Sequence, residues 1–283
     1  MNENNVDVFG RNIPQEDAIF DSIGSLMDSV EDEDSLKKSK YIILKPNYVV
    51  ADHWTTGNTT CPIILEALID YIQEKLPNAE LAVGEGGFTR LTKKAFKVNG
   101  LPDLCNKKGI NLIDFNDDEH EAIIIPGAHS LVGSIKIARE AIKCDSIISV
   151  PSLKTHSLAS TTLSIKNFMG ALGRKSIMHS NIHHKIVDLF SYFHNKAPFA
   201  IIDGYYGSEG YECGGNPIKH DIILASKDLV ALDTTGAAIM GQNVNHSAYL
   251  ANASARSLGI SNIEQIKCIG FNLEKMKKNY CEG

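Results

Sequence analysis

Short apolar runs that break off at a polar residue or a glycine recur along the chain, with helix-period stretches between them. YIILKPN (41–47), ELAVGEGG (80–87), DSIISV (145–150) and PFAIIDG (198–204) are the clearest of these runs. Such continuous apolar runs read as strands buried on both faces, and a strand buried on both faces requires helices above and below its sheet. Helices of the right kind follow. Across 62–75, Ile64, Leu65, Leu68, Ile69 and Ile72 fall on one stripe at the 3.6-residue period, and Pro62 suits a first helical position. Further helices are expected over 16–30, 92–108, 138–144, 163–172, 182–194, 227–240 and 246–258. Shorter strands are expected at NLIDF, EAIIIP, GSIKIA, IKHDIILAS (218–226) and near QIKCIG.

This alternation predicts an α/β fold, a mostly parallel sheet covered by helices with a cleft at the strand ends. The two halves share a strand–polar-turn–helix rhythm, which leaves two similar lobes open as a variant of that fold. Residues 1–39 read as an N-terminal lead-in and helix, with the acidic stretch EDEDSLKKSK (31–40) as a solvated connector, and 40–283 as a single α/β domain.

A net charge of -6 argues against nucleic acid as a partner, which would call for a basic surface. The six cysteines form no CxxC pair and match no zinc or iron–sulphur spacing, so they fit a reducing compartment. No apolar run approaches the ~20 residues of a membrane span, and MNENNVDVFGRN carries no signal-peptide pattern. A cytoplasmic protein with no membrane partner is expected. GxxxxGK[ST], a helix-opening GxGxxG and GxSxG are all absent, which gives no support to nucleotide binding or a serine nucleophile.

Against that acidic average, residues 150–184 concentrate Lys154, Lys166, Arg174 and Lys175 with His156, His179, His183 and His184, immediately after the apolar SIIS. Ligands of open α/β sheets collect where strands end, so this concentration points to an anion site. Lys166, Gly170 and Arg174 at i, i+4 and i+8 would share one face of a helix, the cations about 12 Å apart, with Gly170 and Gly173 leaving that face bare. Tight helix packing at the glycines, with the cations reaching water, is the alternative. Lys154 and His156 at a strand end could bind an anion and transfer a proton. His179 and His183 have HxxxH spacing, but His179 precedes the expected helix, which weakens a metal reading.

Lys45, Asn47, Glu85 and Asp203 each close an apolar strand, and parallel strands would bring them to one edge of the sheet. Asp233 faces apolar helical neighbours and needs a partner, for which Lys166, Arg174 or a histidine are candidates. Cys213 lies among glycines with nothing in sequence to activate it.

KPN (45–47), the Thr-Cys-Pro helix start (60–62), VGEGG (83–87), DSIISVPSLKTH (145–156), TLSIKNFMGALG (162–173), His179, IIDG (201–204) and SKDLVALDTTGAAIMG (226–241) occur in that order. Together they resemble the DUF362 family over about 40–271. The resemblance implies an α/β domain of unknown activity, and many relatives look fused to ferredoxin-like iron–sulphur modules. This chain has no such cysteine runs, so no iron–sulphur cluster is expected from it alone, and ECGGN stands where relatives usually carry a Gly-Pro pattern.

The leading expectation is an enzyme acting on a small anionic metabolite, bearing phosphate or carboxylate, by acid–base chemistry. Lys45, Asn47, Lys154, Lys166, Asn167 and Arg174 would bind it, and His156, Glu85 and His179 would handle protons. A divalent metal at Asp203 and Glu209 is a further expectation. The alternatives are an oxidoreductase component served by a separate ferredoxin-like or flavin partner, and a non-catalytic ligand-binding protein.

Overall fold

The computed structural model describes residues 5–30, 36–88 and 91–281, so part of the acidic connector (31–35) lies outside the described residues. Its strands are β1 (Val6–Asn12), β2 (Tyr41–Pro46), β3 (Glu80–Glu85), β4 (Asn111–Asp114), β5 (His120–Ile124) and β6 (Ser134–Ala138). They continue with β7 (Ser146–Val150), β8 (Ser152–His156), β9 (Ser160–Thr162), β10 (Ala200–Glu209), β11 (Asn216–Ser226) and β12 (Ile266–Ile269).

One large sheet runs in the spatial order β12-β1-β11-β10-β7-β2-β3-β4. From β10 to β4 every neighbouring pair is parallel. At the other side β11 turns antiparallel on β10 and on β1, and β12 runs parallel to β1. The fold is therefore α/β with a mostly parallel sheet. Side chains on successive residues point to opposite faces. Ile43, Ala82 and Ile147 accordingly join the core on one face, while Ile42, Leu44, Val83 and Ile148 join the core on the other. The helix Pro62–Lys75 covers the second face with the stripe its periodicity predicts, Ile64, Leu65, Leu68, Ile69 and Ile72 all being buried.

The strand order locates the site. From β2 the chain steps outward to β3 and β4 on one side, then returns to β7 and β10 on the other side of β2. The direction of winding reverses between β2 and β7, and that reversal opens a crevice beyond the carboxyl ends of the strands. Lys45, Pro46 and Asn47 end β2 there, Glu85 ends β3, and Val150 ends β7.

Several elements differ from expectation. The lead-in contains β1, a full member of the sheet, whose Val8 belongs to the core. The helix expected over 92–108 is two, Thr92–Val98 and Leu101–Lys108, divided by Gly100 in a left-handed conformation (φ 69°). The KTH segment lies on a separate strand, β8, which ends at His156 and pairs with β9 and β10. The helix expected over 163–172 stops at Asn167 and continues as a 3-10 turn, Phe168–Ala171. Beyond that turn the Gly173 N–H donates to the Lys136 carbonyl (2.9 Å) and Leu172 bridges to Ile137, so β6 captures the chain as extended backbone. Arg174 therefore does not share a helix face with Lys166.

Candidate functional site

A cavity of about 390 Å³ opens at the crevice, lined among others by Asn47, Glu85, Gly86, Gly87, Lys154, His156, Thr162, Lys166, Asn167, Gly170, Arg174, Lys175, His179, Glu212 and Cys213. At its base Lys45 pairs with Glu85, both sealed from solvent. Lys45 Nζ also donates to Asn167 Oδ1 (3.2 Å). Burial pulls the Lys45 ammonium down and pushes the Glu85 carboxyl up, each opposed by the charge of the other. Burial thus disfavours the charged form of each group, and their mutual attraction opposes it.

Gly170 lets backbone reach this pair, and Gly87 lets backbone close on the loop after β2. A side chain at Gly170 would lie 2.7 Å from Lys45 Nζ and 2.9 Å from Glu85 Oε1, and one at Gly87 would lie 2.1 Å from the Tyr48 carbonyl oxygen.

Asn167 clamps two strand ends together. Its Nδ2 donates to the Lys45 carbonyl (2.9 Å) and to Ser149 Oγ (3.1 Å), which identifies its Oδ1 as an acceptor. Asn47 must then turn Nδ2 toward that oxygen (3.2 Å). This leaves Asn47 Oδ1 buried and without a hydrogen-bond partner at the cavity wall. Thr60, placed just before the helix Pro62–Lys75, holds Asn47 in position: its Oγ1 accepts from the Asn47 N–H (2.8 Å) and donates to the Val150 carbonyl (2.7 Å).

The cations form two layers. Lys154 donates to the Asn58 and Glu212 carbonyls (3.0 and 3.3 Å), and Lys166 donates to Thr162 Oγ1 (3.3 Å). Neither forms a salt bridge among the described residues. Burial lowers Lys154 to about 8, and burial with the neighbouring Lys154 charge lowers Lys166 to about 7. Lys175, held by Asn116 Oδ1 (2.7 Å) and the Leu172 carbonyl (3.0 Å), is lowered by burial to about 8. Arg174 and His179 are exposed at the rim, where Arg174 Nε donates to Ser176 Oγ (3.2 Å).

His156 is held in one tautomer. Its Nδ1 accepts from the Leu158 and Ala159 N–H groups (3.0 and 3.2 Å), so the proton sits on Nε2. Burial, assisted by the Lys166 charge, keeps the ring neutral by lowering its pKa well below the usual value. His156 is a hydrogen-bond donor to the cavity, and its Nδ1 is not free to take a proton. Burial raises Glu212, but hydrogen bonds from Ser157, led by its Oγ (2.7 Å), prevail and hold that carboxylate ionised.

Other carboxylates serve the backbone. Asp203 accepts from the Cys61 and Tyr205 N–H groups (2.7 and 3.0 Å), and Glu209 accepts from the Cys281 N–H (2.7 Å). Neither lines the cavity, so the expected metal pair is not assembled there. Among the described residues no group of three or more His, Cys, Asp and Glu side chains has metal-binding geometry. Asp233 finds its partner in the start of the helix Ser164–Asn167, accepting from the Ser164 and Ile165 N–H groups (2.7 and 3.0 Å), rather than in a cation.

The structure thus gathers Lys45, Asn47, Glu85, Lys154, His156, Lys166 and Asn167 in one place, with Arg174 and His179 at its edge. Lys175, Glu212 and Cys213 join them, although sequence reasoning assigned them no role at the site. Lys175 sat in the cation-rich stretch, which was a signal. The 212–213 segment comes from a distant Gly-rich loop, where Cys213 stood out but nothing in sequence tied it to these strand ends.

The model of the DUF362 family, a domain of unknown function, matches residues 42–238. The chain is a DUF362 protein. The matched span of this DUF362 chain contains every cavity-lining residue named above. It is 23% identical over 206 residues to the thylakoid-associated protein sll1697 of Synechocystis, covering 70% of this chain and 62% of that protein. Its fold resembles the lactate racemase apoprotein of Thermoanaerobacterium thermosaccharolyticum, with a TM-score of 0.52 at 13% identity. That likeness covers 85% of this chain and 58% of the racemase chain, so this chain spans about three fifths of the length of either protein. No helix among the described residues is long and apolar enough to cross a membrane.

Proposed function

We propose that this DUF362 protein is a cytoplasmic enzyme that binds a small carboxylate- or phosphate-bearing metabolite and moves a proton on it. One observation carries the reading: among the described residues Lys154 and Lys166 line a cavity without a salt-bridge partner, directly beside the buried Lys45–Glu85 pair. Buried cations without counter-ions are costly, and an anionic ligand would offset that cost. Lys154 would hold the anion, with Lys166 beside it and Arg174 and Lys175 adding positive potential along its approach. Asn47 Oδ1 would accept from a substrate hydroxyl and His156 Nε2–H would donate to a substrate oxygen. Glu85, its proton shared with Lys45, would serve as the base. The resemblance to a lactate racemase fold sets 2-hydroxy carboxylates among the first compounds to test.

The test is exchange in D2O, followed by proton NMR, over a panel of 2-hydroxy carboxylates, 2-oxo carboxylates and phosphate monoesters. At least one compound should lose its C–H signal beside the anionic group, and Lys154→Met should abolish that loss. If no compound exchanges, and none of them nor inorganic phosphate shifts the melting temperature at millimolar concentration, the proposal fails.

A further inference from the structure

We propose that Lys166 is a nucleophilic amine that forms an imine with a small aldehyde or ketone carrying a carboxylate or phosphate. The inference rests on the anionic-metabolite reading above and narrows its substrate class.

Four lysines surround the cavity, and their hydrogen bonds separate them. Lys45 is tied to Glu85, to Asn167 Oδ1 and to the Pro46 carbonyl. Lys154 reaches two backbone carbonyls, and Lys175 reaches Asn116 Oδ1 and the Leu172 carbonyl. Among the described residues Lys166 has only Thr162 Oγ1, at 3.3 Å. An ammonium offers three donors, so Lys166 is the least committed of the four and lines the cavity with its residue only 8% exposed.

The local fold also places a second cation beside it. Thr162 lies opposite Lys154 in the β8–β9 register and accepts from Lys166 Nζ (3.3 Å), so both lysines share a wall. A desolvated lysine next to another cation is the arrangement that activates an amine as a nucleophile, and burial with the Lys154 charge brings Lys166 to about 7. A division of labour follows. Lys154 stays charged and binds the anionic group, while neutral Lys166 attacks.

The step is balanced without an external electron donor or acceptor. The Nζ lone pair forms a bond to the carbonyl carbon as the C=O π bond opens onto oxygen. Both amine protons pass to that oxygen, which leaves as water, and a C=N bond remains. Once protonated, the imine would draw electrons from the adjacent carbon, allowing a base such as Glu85 to remove its proton.

The experiment uses pyruvate, hydroxypyruvate and glycolaldehyde phosphate as probes, with sodium borohydride reduction and peptide mapping by mass spectrometry. Wild-type protein should carry one reduced adduct, located at Lys166. Lys166→Arg fixes a cation at this position that cannot form an imine, and should lose the adduct while retaining a cooperative melt and, through Lys154, a melting-temperature rise with the same probes. An adduct spread over surface lysines, or one unchanged in Lys166→Arg, overturns the proposal. Probes that raise the melting temperature but leave no adduct overturn it while sparing the anion site. Probes that neither bind nor label overturn both readings.

Discussion

Lys45 and Glu85 close neighbouring parallel strands, and the two side chains meet as a buried ion pair with the Gly170 backbone packed against them. Such a pair is weak evidence for stability, because desolvating two charges costs about as much as their attraction returns. Its position at the base of the cavity is where the proposed function requires a base.

Removing one member should expose that balance. Glu85→Ala leaves Lys45 buried and unpaired, and should cost roughly 3–5 kcal/mol in denaturant unfolding. The double change Lys45→Met, Glu85→Leu should recover most of the loss while abolishing proton exchange. A small effect of the single change would show that Lys45 readily reaches another partner.

Lys166→Met should act in the opposite sense. It removes a buried amino group that, among the described residues, has one long hydrogen bond and lies beside the Lys154 charge. Replacing such a group by an apolar side chain should leave stability unchanged or raise it by about 1–2 kcal/mol. Thermal melts check this, and a clear loss of stability would mark Lys166 as a structural residue.

Two glycines should respond differently to alanine. Gly170→Ala places Cβ against Lys45 and Glu85 and should destabilise by about 1–3 kcal/mol. Gly24, on the helix Ile19–Val30, has nothing within 4 Å of an added Cβ. Gly24→Ala should therefore stabilise by about 0.5–1 kcal/mol. Equal effects at the two positions would contradict the packing described here.

His220 should contribute to acid sensitivity. Its ring bonds Tyr280 Oη (2.9 Å) and the Met276 carbonyl (2.7 Å), and burial lowers it from 6.5 to about 4. Between those values the unfolded chain binds the proton and the fold does not, so stability is present above pH 6.5 and falls as pH drops toward about 4. Melting temperatures from pH 7.5 to 4.5 should fall less steeply for His220→Gln than for wild type. Parallel curves would assign the acid sensitivity elsewhere.

Much of the site could be read from local pattern because parallel strands have a direction. Lys45, Asn47 and Glu85 close apolar runs, and runs paired in parallel must finish on the same edge of a sheet. The helix Pro62–Lys75 was legible for a similar reason, since its stripe repeats at the period of the helix itself. Local pattern misplaced Arg174, because the i, i+4, i+8 spacing assumes a helix that β6 interrupts. It misjudged His156, because which nitrogen is available depends on two backbone N–H groups folded over the ring.

What the chain's own order of residues determined was the α/β class, the strands that end at the crevice and the concentration of cations beside it. These depend on periodicity and on short-range chemistry. Only the tertiary structure decided which cations among the described residues lack a salt bridge, which nitrogen of His156 keeps its proton, and that Asn47 keeps a buried oxygen unsatisfied. It also showed Asp203 and Glu209 holding backbone N–H groups away from the cavity. Those outcomes turn on where desolvation, hydrogen bonds and like charges coincide in space, and segments far apart in sequence supply them.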